Sequence, residues 1–273
     1  MNMDNVGLSQ KGARVGVTVL GSGSKGNCTI VHYGRQAIMI DAGFSCRETQ
    51  RRFRQCQCLR ELSLDGILVT HEHKDHVSGL RVCSEYFEAP VYAASPCARA
   101  IREKEHGLGQ VACFVPGGEF GVGPFRVIPF SVPHNASSPV GFIIAVNDWR
   151  IGYATDVGYV SSNVEYNLKA CDALVVESNH DMNMLAASDR PWTLKQRIMS
   201  RDGHLSNDST AQLLENVITQ NTRNVILAHL SQDCNTREKA MECACQALGV
   251  VHRRDISLLV AQQEAPIDTV WIG

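Results

Sequence analysis

Nowhere in its 273 residues does the chain hold the roughly 18 uncharged apolar residues in a row that a bilayer-spanning helix needs. Residues 1–12 are polar and lack the apolar core of a secretory leader, so a cytoplasmic protein without membrane contact is expected. No C-x-x-C pair occurs. The eleven cysteines are scattered, and the closest pairs, Cys56/Cys58 and Cys243/Cys245, have a spacing that suits no zinc knuckle. They are read as reduced, mostly structural side chains. Net charge is nearly absent as well: the formal value is −2. Such a chain has no global attraction for a polyanion, so affinity for nucleic acid would have to come from a local basic surface or from bound metal. Repeats, low-complexity segments and linkers are missing too. With 44% hydrophobic residues, a single domain over 14–273 is expected, preceded by a flexible N-terminus at 1–13.

What is present is strand-rich first and alternating later. Short β-branched and apolar runs predict strands over 15–20, 28–33, 36–40, 66–69, 91–93, 112–115, 125–130, 140–146, 150–154, 173–177, 224–228 and 256–260. Gly34-Arg35 and Asn147-Asp148 read as turns within this series. Helical spacing marks 47–59, 77–87, 95–103, 206–220 and 236–248. Mixed strands, a central run of strands, then strand–helix alternation fit two sheets covered by helices.

The chemistry concentrates in His71-Glu72-His73-Lys74-Asp75-His76. Three of only ten histidines fall within these six positions, directly after the strand predicted at 66–69. Four ligand-type side chains at this spacing cannot share one helix face. They converge if the segment leaves the end of a strand extended, with His71 and His73 pointing the same way, and then turns into a helix bearing Asp75 and His76. Imidazole and carboxylate are ligands for zinc and other first-row divalent ions, and the arrangement has room for two.

His-x-His-x-Asp-His after a strand resembles the signature of the metallo-β-lactamase fold superfamily. Asp41 in Ile-Asp-Ala-Gly, His134 after a strand, Asp156 in Ala-Thr-Asp-Val-Gly and His229 in Leu-Ala-His-Leu-Ser follow in that superfamily's order. The likeness spans about residues 14 to 260 and implies an α/β, four-layer αββα sandwich. It implies one metal on His71, His73 and His134, a second on Asp75, His76 and His229, and Asp156 bridging them. A hydroxide between the ions is the implied nucleophile, and Asp41 would orient the motif loop by hydrogen bonding.

Within the superfamily, Asp156 stands where β-lactamases carry cysteine. The extra helical domain of glyoxalase-type enzymes and the large insertion of ribonuclease J-like proteins are not found. Glu177-Ser178-Asn179-His180 followed by Gly203-His204-Leu205-Ser206-Asn207 resembles ribonuclease Z. Together with the Gly-Ser-rich turn at 21–28 and the Asp-Ala-Gly, the chain most resembles the WalJ (YycJ) family of exonucleases. That likeness implies hydrolysis of phosphodiester bonds in nucleic acid, DNA before RNA, with zinc or manganese and iron as a further fit. Catalysis would rest on Asp75, Glu177 and His204, with His204 protonating the leaving oxygen and Glu177 holding it. One departure is Asn135, where the family usually has Asp after the third-motif histidine.

The loop Gly21-Ser22-Gly23-Ser24-Lys25-Gly26-Asn27 lacks the spacing of a nucleotide P-loop. Its N–H groups and hydroxyls can hold a phosphate, or it is a tight hairpin connection. Ser22, Ser24 and Asn27, with Asn179 and Asn207, are the candidate substrate contacts. Arg190, Lys195, Arg197 and Arg201 either line a backbone groove or form a solvated helix face. Trp192 either stacks on a base or packs in the core. The alternative enzyme reading is hydrolysis of a small ester, thioester or cyclic phosphodiester at the same metals. A binding protein that kept the fold would show lost ligands, and none of the seven expected positions is missing.

Overall fold

The computed structural model describes residues 14–104 and 107–273, so the segment expected to be flexible at 1–13 lies outside the described residues. The strands in chain order are β1 (Val15–Gly21), β2 (Cys28–Tyr33), β3 (Gln36–Ile40), β4 (Ser63–Leu68), β5 (Val91–Ala94), β6 (Val111–Phe114), β7 (Phe120–Val122), β8 (Phe125–Ser131), β9 (Val140–Val146), β10 (Trp149–Ala154), β11 (Ala173–Glu177), β12 (Asn224–Ala228), β13 (Ser257–Val260) and β14 (Val270–Ile272). They build two seven-stranded mixed sheets, ordered β14-β1-β2-β3-β4-β5-β6 and β13-β12-β11-β10-β9-β8-β7. The helices are α1 (Cys46–Gln55), α2 (Lys74–Val77), α3 (Leu80–Tyr86), α4 (Ser95–Lys104), α5 (Ser162–Leu168), α6 (Met182–Ala187), α7 (Trp192–Ile198), α8 (Asn207–Val217) and α9 (Arg237–Val250).

Period-two patterning explains the layering. In the second sheet, Phe142 and Ile144, Ile151 and Tyr153, and Val175 and Ile226 join one apolar cluster with Ile30, Ile38 and Ile40 of the first sheet. Their neighbours Ile143, Leu174, Val176, Val225 and Leu227 belong to a different cluster with Val164, Leu168, Leu213 and Leu248 of α5, α8 and α9. Successive side chains of a strand point to opposite faces, so one set packs between the sheets and the other under the helices. Phe53, Leu80, Cys83 and Ile101 of α1, α3 and α4 pack onto the first sheet. The result is the four-layer αββα sandwich of the metallo-β-lactamase fold.

Several elements differ from the sequence expectation for physical reasons. The helix expected over 77–87 is two pieces, α2 and α3, because the chain at Gly79 presses against the loop before α1. A Cβ there would lie 1.9 Å from the Phe44 carbonyl oxygen. Strand β14 carries only three residues and gains its pairing from β1, with Val15 opposite Ile272. Strand β7 is also three residues long and pairs with β8, Val122 opposite Phe125. Helices α5 to α7 are too short for a periodic stripe; α5 and α6 are marked by the caps Ser161 and Asp181. All eleven cysteines are free. Among the described residues no helix is long and apolar enough to cross a membrane.

The fold positions chemistry at strand ends. Asp41 follows β3, the His-rich motif follows β4, His134 follows β8, Asp156 follows β10, Glu177 ends β11 and His229 follows β12. Asp41, Asp156 and His229 have φ of 60°, 56° and 55°. Non-glycine residues rarely hold the left-handed region, and strain of this kind clusters at functional sites.

Candidate metal centre

The motif loop is built from the Asp41 carboxylate. Its Oδ1 accepts from the Thr70 backbone N–H at 2.8 Å, and its Oδ2 accepts from the Thr70 hydroxyl at 2.8 Å and from His76 Nδ1 at 2.7 Å. Asp41 is fully buried. His71 and His73 leave β4 in extended backbone, and α2 then turns Asp75 and His76 inward.

The donor atoms gather into sets in which all members lie within 4.8 Å of one another. One set is His71, His73 and His134, and another is Asp75, His76 and His229. Asp156 groups with His71 and His76; its Oδ2 is 3.2 Å from His76 Nε2, and its Oδ1 is 3.8 Å from His134 Nε2. It therefore reaches members of both triads. In a further grouping, Asp156 with Glu177, His204 and His229, Glu177 Oε1 and the two Nδ1 atoms are already spent on hydrogen bonds to each other at 2.8 Å.

Hydrogen bonding decides which ring nitrogens are free. An acceptor can be met only by a protonated nitrogen, which leaves the opposite one as a lone-pair donor. His76 Nδ1 donates to Asp41, His134 Nδ1 donates to the Gly203 carbonyl at 2.9 Å, and His229 Nδ1 donates to Glu177 Oε1 at 2.8 Å. The Thr70 hydroxyl gives its proton to Asp41 and accepts from His71 Nδ1 at 3.0 Å. Each arrangement turns Nε2 toward the shared space. Asn27 Nδ2 points at His76 Nε2 from 3.1 Å, as a donor facing a lone pair.

Two observations test whether metal suits this site. His71 Nε2, His229 Nε2 and Asp156 Oδ2 are buried without a hydrogen-bond partner, and orphaned buried polar atoms are costly unless something fills the role. Charge points the same way. Burial opposes a charged His229, yet Asp156, Asp75 and Glu177 raise its pKa to about 10. Burial would likewise raise the Asp156 carboxyl, but His229 and His76 hold it well below its ordinary value. His71 is kept neutral by burial and by His76 beside it. Its carboxylates are thus ionised and, against burial, draw His229 and His76 toward the protonated form, so the pocket favours positive charge, and a divalent ion would take that place by displacing the imidazole protons.

Beside the donor sets, Glu177 is wholly buried. Its Oε1 accepts from both His204 and His229 at 2.8 Å, and its Oε2 accepts from the backbone N–H groups of Val157 and Leu205 at 2.9 and 3.0 Å. Burial pushes its carboxyl up, but the two histidines win and hold it at about 2. His204 lines the cavity with His73, Asp75, His134, Asp156 and His229.

The candidate substrate contacts divide. Ser24 and Asn179 line the cavity. Ser22, Asn27 and Asn207 do not line it: Ser22 and Asn207 spend their polar atoms on the fold, and Asn27 Nδ2 faces His76 Nε2 and Asp75 Oδ2 from beside the donor sets. The Ser22 hydroxyl donates to Asn27 Oδ1 and accepts from the His229 N–H; Asn27 Nδ2 bonds Gly23 O; Asn207 pairs with Ser178 and Asn235. Lys195 is buried and donates to the Ala186 carbonyl at 2.7 Å, and the Arg201 guanidinium lies 4.2 Å from the Tyr159 ring centre. Trp192 is 64% exposed, so it is not core, and it does not line the cavity. Asn135 is exposed.

Some supporting residues escaped the sequence reading. Glu72 Oε1 accepts from the N–H and hydroxyl of Ser137, tying the His134 loop to the motif. Gln263 cradles the Gly-rich loop, accepting from Lys25 N–H and donating to Gly26 O, while buried Arg52 bonds the Leu20 and Gln263 carbonyls. Glu72 sits in the motif and was visible there. Gln263 and Arg52 carry no sequence signal, since their partners lie far along the chain.

A family model described as beta-lactamase superfamily domain matches residues 36–230. Over 236 residues the chain is 37% identical to the exodeoxyribonuclease YycJ of Bacillus anthracis, covering 85% of this chain and 88% of the relative. Over 228 residues it is 31% identical to the exodeoxyribonuclease WalJ of Streptococcus pneumoniae, covering 82% and 84%. The crystal structure of the metallo-beta-lactamase fold protein YhfI from Bacillus subtilis matches with a TM-score of 0.70 at 14% identity, covering 93% of this chain and 99% of that one. The chain therefore belongs to the metallo-β-lactamase superfamily, in the family that holds YycJ and WalJ, and is a metal-dependent hydrolase.

Proposed function

We propose that this chain is a two-metal phosphodiesterase that degrades nucleic acid, and that its substrate is DNA cut from an end. The observation that carries the reading is the placement of His204. It stands in the cavity wall outside both histidine triads, and its Nδ1 is held 2.8 Å from a carboxylate that has no exposure to solvent. An imidazole held in this way beside the donor atoms suits protonation of a leaving alkoxide oxygen. The exodeoxyribonuclease relatives support the same substrate class.

His71, His73 and His134 would hold one ion and Asp75, His76 and His229 the other, with Asp156 between them. Divalent ions bound there supply Lewis acidity and lower the pKa of water; zinc and manganese fit the donors, as does iron. Asp41, Thr70 and Glu177 orient imidazoles. Glu177 couples the two functions, since one of its oxygens serves a metal-side histidine and the proton donor together. The cavity of about 240 Å³ falls below the roughly 300–1,000 Å³ of sites that enclose a small ligand, which favours a substrate lying across the opening.

The test is cleavage of end-labelled single- and double-stranded DNA and matched RNA, with added zinc or manganese, with chelator, and with Asp75→Ala protein as the contamination control. Chelator-sensitive products absent from the variant support the reading, and their ladder gives polarity. No degradation under any metal, with about two ions bound per chain, would overturn it.

A further inference from the structure

Four cations lie between residues 190 and 201, and the fold uses only two of them. Lys195 is spent on the Ala186 carbonyl and Arg201 on the Tyr159 ring. Arg190 and Arg197 instead line the same cavity as Asp156 and His204. Leu194, Arg197 and Ile198 line it together, which places one face of α7 along the opening, since positions three and four apart stack on a helix. Among the described residues Arg197 makes no ion pair, and its side chain is exposed. Arg190 is bound at 2.8 Å to Asp233, whose own side chain is 73% exposed. Such a surface pair holds weakly and exchanges readily.

We propose that Arg190 and Arg197 form a clamp for the non-bridging phosphate oxygens of the strand that flanks the cleaved bond. This rests on the nuclease reading above and specifies how a polymer is held. The cavity floor is lined by Asp75 and Asp156 and would repel a strand wherever metal does not offset it. The overall charge of −2 gives no general attraction, so the affinity has to be local. Guanidinium is suited to the task because its planar fork meets two phosphate oxygens at once. Arg190 reaches its phosphate by leaving Asp233, which makes Asp233 a competitor for the clamp. Backbone contacts of this kind carry no base information, so DNA and RNA strands should engage it alike.

The experiment measures binding of fluorescent DNA and RNA single strands with ordinary phosphodiester links to zinc-loaded protein carrying His204→Ala, which slows cleavage, between about 50 and 200 mM salt. Arg197→Ala should weaken binding about tenfold at the lowest salt and flatten the slope of log affinity against log salt by about 0.7. Arg197→Lys should keep the slope while recovering only part of the affinity. Asp233→Asn, which frees Arg190, should tighten binding. Unchanged affinity and slope in Arg197→Ala and Arg190→Ala would overturn the clamp alone, provided the unaltered protein binds and cuts strands. Loss on one polymer but not the other would also overturn it, since the contact would then not be with phosphate. A protein that neither binds nor cuts any strand would remove the nuclease reading, and the clamp with it.

Discussion

The backbone N–H of His229 donates to the hydroxyl of Ser22 across 2.9 Å, joining the loop after β12 to the loop after β1. The two residues are 207 positions apart in sequence, and His229 holds a left-handed backbone. A loop that looks like a phosphate cradle thus acts as a clasp on a candidate metal-ligating histidine. Ser22→Ala should leave a buried N–H unpaired and cost about 1–3 kcal/mol, read as a lower unfolding midpoint. Metal titration should show weaker binding at the same time. Unchanged stability and metal affinity would show that the clasp is dispensable.

Metal content and turnover should separate by residue. Asp75→Ala and Asp156→Ala should abolish turnover and lower the number of ions per chain. His204→Ala should keep its metal and slow phosphodiester cleavage by roughly 10²–10⁴-fold, the range of general acid–base catalysis. Elemental analysis beside a cleavage assay checks both. Cleavage by His204→Ala at the normal rate would remove the leaving-group assignment.

Gly43 sits where the chain has no room. A Cβ there would lie 1.7 Å from the Asp75 carbonyl oxygen and 2.6 Å from the Asn27 nitrogen, two atoms joined by a hydrogen bond of 2.8 Å. Gly43→Ala should therefore push α2 away and cost about 1–3 kcal/mol or more, with loss of metal binding. Gly109→Ala is the control, since nothing lies within 4 Å of its added Cβ. Equal behaviour of the two variants would refute the packing argument.

His32 makes a prediction for pH. It is buried beside Gly16 and the edge of the Trp271 ring, and neither ring nitrogen has a partner. Burial lowers its pKa from 6.5 to about 4. Between those values the unfolded chain binds a proton that the folded chain refuses, so stability falls as pH drops through that window. The loss amounts to as much as about 3 kcal/mol. His32→Leu should remove this part of the acid limb and leave stability above pH 7 equal or higher. Denaturant unfolding at a series of pH values checks it; a wild-type pH slope in the variant would refute the account.

The boundaries of β2 and β3, the hairpin at Gly34-Arg35 and the strand-end position of each candidate donor were legible without coordinates. Short-range rules control them, since β-branched runs, turn pairs and ligand spacing act over a few residues. The short elements were not legible. Strand β14 owes its pairing to β1, and of their apolar side chains α6 and α7 bury only Leu185 and Ile198 against Cys234, too little for an apolar stripe to mark them.

Sequence by itself determined the donor types, their order and the sheets that carry them, because strand patterning and side-chain chemistry are local properties. Tertiary structure alone decided which polar side chains face the cavity. Ser24 and Asn179 do, whereas Ser22 and Asn207 bond within the fold and Asn27 meets His76 and Asp75; Arg190 and Arg197 do, whereas Lys195 and Arg201 are used by the fold. It alone added His229 as a second partner of Glu177, whose hold on His204 the family resemblance already implied. The reason is that each of these outcomes depends on a hydrogen-bond or packing partner supplied by a different segment of the chain, and a buried polar group takes the partner it meets there.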